Sequence, residues 1–117
     1  MSGANVTRTK EVTFQAAATT AVDGTIFENG GVYKTLRVKV KRSAGTSTLL
    51  FKHTVDRSGE YYDLVGTKIS DTSLTMGIST TGTAEVWEFD ITASMKIKLA
   101  ISAISGASVD VAGMAVG

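Results

Sequence analysis

The sequence predicts an all-β protein, a single-domain antiparallel β-sandwich of jelly-roll-like form that spans residues 1–117 and has about eight strands. A small β-barrel is the main alternative. Three observations support this prediction. Apolar residues alternate with polar ones at a period of two, which is typical of strands with one buried face. Turn-forming groups separate the alternating segments at intervals of roughly 8 to 15 residues. The chain has no proline, so its 12 glycines shape the turns together with Asn, Asp and Ser.

The composition excludes several classes of site and partner. The chain has no cysteine, so disulfides, thiolate nucleophiles and cysteine metal sites are impossible. Its 12 basic and 11 acidic residues leave a net charge of +1, which does not indicate bulk attraction to nucleic acid or to an anionic membrane. No apolar run approaches membrane-spanning length, and residues 1–5 lead into polar residues where a secretion signal would be apolar. We therefore expect synthesis and folding in the cytoplasm.

The central stretch, residues 33–55, predicts two long strands joined as a hairpin. Its first arm, residues 35–41, places apolar side chains at even positions and basic or threonine side chains at odd positions. Small residues and a glycine in 42–47 suit a loop. The return arm, residues 48–55, has apolar side chains and His53 at odd positions. Two such strands need a second layer to cover their apolar side, and the rest of the chain is expected to supply it.

The remaining strands flank this stretch on both sides. A last hairpin is predicted to close through the glycine-containing turn 105–108. Residues 1–8 are predicted to form a polar arm that is either flexible or ordered on a neighbouring subunit. The predicted strand segments are 11–17, 26–27, 61–65, 74–78, 84–91, 95–103 and 109–116.

No motif in the sequence specifies a catalytic or cofactor site. His53 is the only histidine and falls on the apolar face of its strand, which favours a position at the edge of the core over a role as a base. The chain has no G-x-S-x-G and no glycine-rich phosphate loop. Asp56, Glu60 and Asp63 cluster near a turn, but EF-hand spacing is absent and turn aspartates commonly cap backbone groups. We expect no enzyme activity, no metal and no cofactor.

The surface features that can be read from the sequence are two basic strand faces and a group of aromatic residues near a turn. Alternation places Trp87 in the core, whereas Tyr61 and Tyr62 are neighbours that must face opposite sides of a strand. Such faces are either solvated surfaces that discourage edge pairing or complementary surfaces that meet across subunits. The candidate interface residues are Arg37, Lys39, Lys41, Arg42, Arg57, Tyr61, Tyr62, Lys96 and Lys98.

The chain as a whole resembles small all-β virion proteins of tailed bacteriophages. The resemblance lies in the opening V-D-G-T turn at 22–25, the D-x-x-G turn at 56–59 before an aromatic pair, and the W-x-F-D-I strand at 87–91. A terminal glycine-containing hairpin within 97–116 completes it. The similarity extends over nearly the full length and includes no catalytic residues.

This resemblance implies a non-enzymatic structural component of a virion: a head decoration or cement protein, a head fibre or a tail accessory subunit. The expected partners are further copies of the chain and other virion proteins such as the major capsid protein, with no nucleic acid and no membrane. The alternative is a carbohydrate-binding module of a fibre or adhesin that uses Tyr61, Tyr62 or Trp87. Exposed, coplanar rings beside Asp or Asn side chains would favour that alternative.

Overall fold

The computed structural model describes residues 8–43, 46–69, 74–75, 78–80 and 84–117. Within these ranges the protein contains eleven strands and no helix, and therefore no helix that could cross a membrane. In chain order the strands are β1 (Thr9–Ala18), β2 (Phe27–Glu28), β3 (Thr35–Arg42), β4 (Thr46–Thr54), β5 (Tyr62–Asp63), β6 (Gly66–Lys68), β7 (Leu74–Thr75), β8 (Ile78–Thr80), β9 (Ala84–Asp90), β10 (Lys96–Ser105) and β11 (Val109–Val116).

The strands form two antiparallel sheets that pack face to face. The six-stranded sheet has the order β1-β11-β3-β9-β6-β7. The five-stranded sheet has the order β2-β10-β4-β5, and β8 also pairs with β4. This arrangement confirms the predicted all-β antiparallel sandwich. It has more than the eight strands expected because five of its strands are only two or three residues long.

Both predicted hairpins are wrong, because each one joins strands that belong to different sheets. Strand β3 pairs with β11 and β9 in the six-stranded sheet, whereas β4 pairs with β10 in the five-stranded sheet. Strands β10 and β11 are separated in the same way. Two strands with apolar faces can bury them by packing face to face as well as by pairing edge to edge, and alternation alone does not distinguish the two arrangements.

The core between the sheets is built from the side chains that alternation turns inward. Phe51 of β4 is its centre: its ring lies 5.6 Å from that of Phe14 in an edge-on contact and 4.4 Å from that of Phe89. Full burial of an aromatic or large aliphatic side chain contributes about 1.5–3 kcal/mol to folding. Trp87 and Ile91 are also buried, as predicted from the alternation of their strand.

The chain changes sheets between β5 and β6, where the sequence predicts a single strand over 61–65. Leu64 is buried at this crossover, and its N–H donates to the carbonyl of Phe51. Gly66, two residues later, lies against the ring of Phe89, and a Cβ at this position would overlap the aromatic carbons. The predicted segment 74–78 contains β7 and the first residue of β8, and residues 76–77 lie outside the described part. The predicted N-terminal arm also lies outside it, apart from Arg8.

Candidate interaction surfaces

The outer side of the six-stranded sheet is a broad surface that strands β1, β11, β3 and β9 build together. Alternation directs every second side chain of these strands away from the core, and the register places them in rows across the sheet. We call this surface the six-stranded face. Its central residues are Glu11, Thr13, Arg37, Lys39, Lys41, Val86, Glu88, Ala112 and Met114.

A shallow groove of about 600 Å³ crosses this face. Its floor is low because Ala112 and Gly113 carry little or no side chain, while Met114 and Val86 add apolar surface beside them. Polar and charged side chains of β1 and β3 form its two rims. The face therefore combines an apolar trough with charged edges, a mixture that is common in protein interfaces.

The charges on this face are only partly paired. Arg37 donates through Nε and Nη2 to a single carboxylate oxygen of Glu88, with an Nε–Oε2 distance of 3.1 Å. Lys39 and Lys41 have no ion-pair partner among the described residues. The predicted basic stripe therefore retains two lysines whose charges are available to an incoming acidic group.

Arg42 does not belong to the stripe. As an even-numbered residue of β3 it follows Leu36, Val38 and Val40 inward, and only 7% of it is exposed. The prediction that grouped Arg42 with the exposed bases is therefore wrong. A second charged side chain, Glu85 of the neighbouring strand β9, faces inward near Arg42. Glu85 accepts a hydrogen bond from the indole nitrogen of Trp87 at 3.0 Å.

The outer side of the five-stranded sheet carries the second predicted basic pair, and both of its lysines have partners. Lys98 Nζ lies 3.0 Å from a carboxylate oxygen of Asp23 and 4.2 Å from the centre of the Tyr61 ring. Lys96 lies 3.8 Å from Glu28. We call this surface the five-stranded face. Because these two lysines are paired, this face attracts an external anion less than the lysines of the six-stranded face do.

The two tyrosines do not form a common platform. Tyr61 lies against Lys98 on the five-stranded face, whereas Tyr62 is 53% exposed and its hydroxyl donates to Glu60 at 2.7 Å. This hydrogen bond to a carboxylate raises the pKa of Tyr62. Trp87 is buried, so it offers no ring to a ligand. The coplanar exposed rings that would favour the carbohydrate-binding alternative are not present.

Arg57 lies in the loop that follows β4, at one end of the sandwich. It lines a pocket of about 280 Å³ together with Asp56, Glu28 and Lys96. The hydroxyl and N–H of Ser58 donate to Asp56 at 2.6 and 2.9 Å, which lowers the pKa of that carboxyl. Among the described residues no three His, Asp or Glu side chains are grouped so as to hold a metal ion. Asp56 here caps its own turn.

Sequence reasoning missed two buried polar side chains at the same end of the sandwich, Asn29 and Ser94. Asn29 is 1% exposed and hydrogen-bonds four backbone groups of two loops. His53 Nδ1 lies 2.7 Å from the hydroxyl of the buried Ser94, and burial lowers the pKa of His53. The expectation that His53 lies at the edge of the core agrees with this position. The only sequence signal for Asn29 was the Asn-Gly pair, which indicates a turn and not a buried amide.

Taken with the fold, these surfaces define the class of the protein: a two-sheet antiparallel β-sandwich whose strands carry charged outer faces. Residues 8–115 match the XepA family, and the chain belongs to that family.

Solved structures and curated proteins show the same relationship. The chain is 36% identical over 94 residues to the SPbeta prophage-derived uncharacterized protein YomS of Bacillus subtilis strain 168, which covers 80% of this chain and 76% of YomS. The crystal structure of the SPBc2 prophage-derived protein YomS superimposes with a TM-score of 0.84 over 97% of this chain and 96% of that one, at 31% identity.

Two longer proteins match over part of their length. The crystal structure of the PBSX exported protein XepA has a TM-score of 0.87 at 30% identity, over 97% of this chain and 39% of that one. The uncharacterized protein YqxG of the same Bacillus subtilis strain is 33% identical over 109 residues, or 93% of this chain and 35% of YqxG. The chain thus spans a little over a third of these two proteins and most of YomS.

Proposed function

We propose that this chain is a non-enzymatic structural component of a bacteriophage particle, a decoration or cement-type protein that self-associates and docks on the major capsid protein. The prophage origin in the name of its relative YomS supports a phage context. The chain also resembles small virion proteins in its turns and strands, as described above. These two similarities support a phage origin for the chain. The proposed role in particle assembly is supported by the six-stranded face.

The observation that carries the proposal is the six-stranded face. An apolar groove crosses the centre of this sheet, and Lys39 and Lys41 have no acidic partner among the described residues. Apolar surface with charges at its rim suits contact with another protein, and the charges set the orientation of that contact. Each contact can be weak, because a particle presents many copies and their linkage raises the overall affinity.

The test is fractionation of a lysate from cells that produce the phage, followed by detection of the chain in purified particles and in the soluble fraction. We expect the chain to sediment with particles and to be released by salt, since screening weakens exposed charge contacts. Light scattering at two protein and two salt concentrations measures self-association of the purified chain. A salt-independent monomer found only in the soluble fraction would contradict the proposal.

A charge-reversal pair locates the contact. The double variant Lys39→Glu/Lys41→Glu is expected to lose particle binding or self-association while it keeps its circular dichroism spectrum and melting temperature. The matched control is Lys34→Glu/Arg57→Glu, which makes the same change in net charge outside the six-stranded face and should bind as the wild type does. Equal loss in both variants would show that net charge matters and the face does not.

A further inference from the structure

Asn29 joins two loops at one end of the sandwich through its side-chain amide. The two hydrogens of its Nδ2 are shared among the carbonyls of Tyr33 at 3.1 Å, Ile91 at 3.0 Å and Ser94 at 3.0 Å. Its Oδ1 accepts from the N–H of Tyr33 at 2.9 Å. The side chain is 1% exposed.

The residue after Asn29 is a glycine, and this pair is chemically vulnerable. In a mobile chain the backbone nitrogen of the following residue can attack Cγ of asparagine, and glycine has no side chain to obstruct that approach. In the folded protein the Gly30 N–H donates to the carbonyl of Met95 at 2.9 Å, and Gly30 has φ +57°. The attacking nitrogen and the amide that it would attack are therefore both held by other partners.

We propose that Asn29 is a deamidation site that the fold protects and that unfolding exposes. In the unfolded chain the Gly30 nitrogen forms a bond to Cγ of Asn29, the Cγ–Nδ2 bond breaks, and ammonia leaves with the proton from the Gly30 nitrogen. Water then opens the resulting succinimide ring at either carbonyl. One opening gives aspartate at position 29, and the other gives an isoaspartate linkage.

Neither product fits the site that Asn29 occupies. Aspartate would place a carboxylate against the three carbonyl oxygens that Nδ2 now serves, and burial of an uncompensated charge is strongly unfavourable. Isoaspartate would add a methylene to the main chain within a turn that is closed by backbone hydrogen bonds. Deamidation therefore makes unfolding irreversible. The lifetime of the native protein then depends on its rate of unfolding and not on its equilibrium free energy of unfolding. Deamidated chains that cannot refold are unable to take part in the proposed assembly.

Peptide mapping by mass spectrometry tests this inference, because replacement of the amide by a hydroxyl changes the mass of the peptide that contains Asn29. The purified protein is incubated at mildly alkaline pH with and without denaturing urea. We expect deamidation at Asn29 to be at least about a hundredfold slower without urea, since the reaction must await an opening of the fold. Asn5 is the internal comparison, because in urea the β-branched Val6 after it should slow its reaction relative to Asn29.

Two variants separate the chemistry from the protection. Gly30→Ala, incubated in urea where backbone strain is irrelevant, should deamidate several-fold more slowly than the wild type. Asn29→Asp, made as the reaction product, should fail to recover the native spectrum after dilution from urea. Equal rates with and without urea, or full refolding of Asn29→Asp, would overturn the proposal. Both outcomes are independent of whether the chain assembles on a particle.

Discussion

At the scale of single residues, the ends and edges of the sandwich depend on polar side chains that satisfy backbone groups. Gln15 is buried in edge strand β1, and its Nε2 donates to the carbonyls of Val22 and Leu99, each at 3.2 Å. Since Leu99 belongs to β10, this one amide connects the six-stranded sheet to the five-stranded sheet. Each of these carbonyls also accepts a backbone N–H, from Ile101 at Val22 and from Gly24 at Leu99, so the Gln15 amide supplies a second donor to both.

His53 makes the stability of the protein depend on pH. Burial disfavours its charged form and lowers the pKa of His53 below the ordinary value of 6.5. The unfolded chain therefore binds a proton more readily than the folded one, and the free energy of unfolding should decrease as pH falls through about 6.5. Urea denaturation at pH 7.5, 6.5 and 5.5, each in the same buffer ionic strength, measures this loss.

The variant His53→Asn is the control, because it keeps a polar group near Ser94 and does not titrate. Its stability should change less than that of the wild type over the same pH range. Asp90 does not affect stability in this pH range. The hydroxyl and N–H of Thr92 donate to Asp90 and lower the pKa of Asp90, so the stabilisation from this carboxylate is lost only as pH falls below the ordinary value of 3.8. An identical loss in both proteins between pH 7.5 and 5.5 would exclude His53 as its source.

At the scale of elements, β11 organises the six-stranded sheet because it lies between β1 and β3. Its glycine permits a close approach to β3. A Cβ added at Gly113 would overlap the carbonyl oxygen of Arg37 and lie 2.6 Å from Cα of Val38. Glycine at this position serves close packing between strands, since a side chain would push β3 away from β11.

The substitution Gly113→Ala should therefore destabilise the protein. Overpacking of a well-packed site costs about 1–3 kcal/mol, and here the atoms in the way belong to the backbone of β3 and cannot rotate aside. Its neighbour Ala112 points outward and is exposed, so Ala112→Ser should change stability by less than about 0.5 kcal/mol. Urea denaturation midpoints of the two variants and the wild type make the comparison. Equal midpoints for Gly113→Ala and the wild type would contradict it.

Element faces were predictable from the sequence, and element partners were not. Leu36, Val38 and Val40 are buried as their alternation predicts, because alternation is a local property of the pleated backbone. The same alternation extended by one step would have placed Arg42 inward, but its charge suggested the surface. Which strands pair is decided by contacts between distant parts of the chain, and no local pattern encodes them.

At the scale of the whole molecule, every long strand pairs with a strand from a distant part of the sequence. Strand β1 pairs with β11, and β3 pairs with β9 and β11. Such non-local pairing requires large loops to close before the contacts form, which slows folding of β-sandwiches to the millisecond-to-second range.

The refolding kinetics should therefore be slow for a chain of this size but should lack the slowest phase that is common in other proteins. With no proline in the chain, no isomerisation phase of roughly 10 to 100 s is expected at 25 °C. Stopped-flow fluorescence of the buried Trp87 after dilution from urea measures this. A dominant phase of minutes in protein with intact Asn29 would contradict the expectation.

The sequence by itself determined the class of fold, its long strands, the apolar side chains that fill its core, and the absence of thiol chemistry. These properties depend on local alternation and on composition. The tertiary structure alone decided that β3 and β4 lie in different sheets and that Asn29 joins two loops. It also decided that Lys96 and Lys98 have acidic partners, whereas Lys39 and Lys41 have none within the described part of the chain. The physical reason is that a side chain's partners depend on which distant segments the packed core brings beside it.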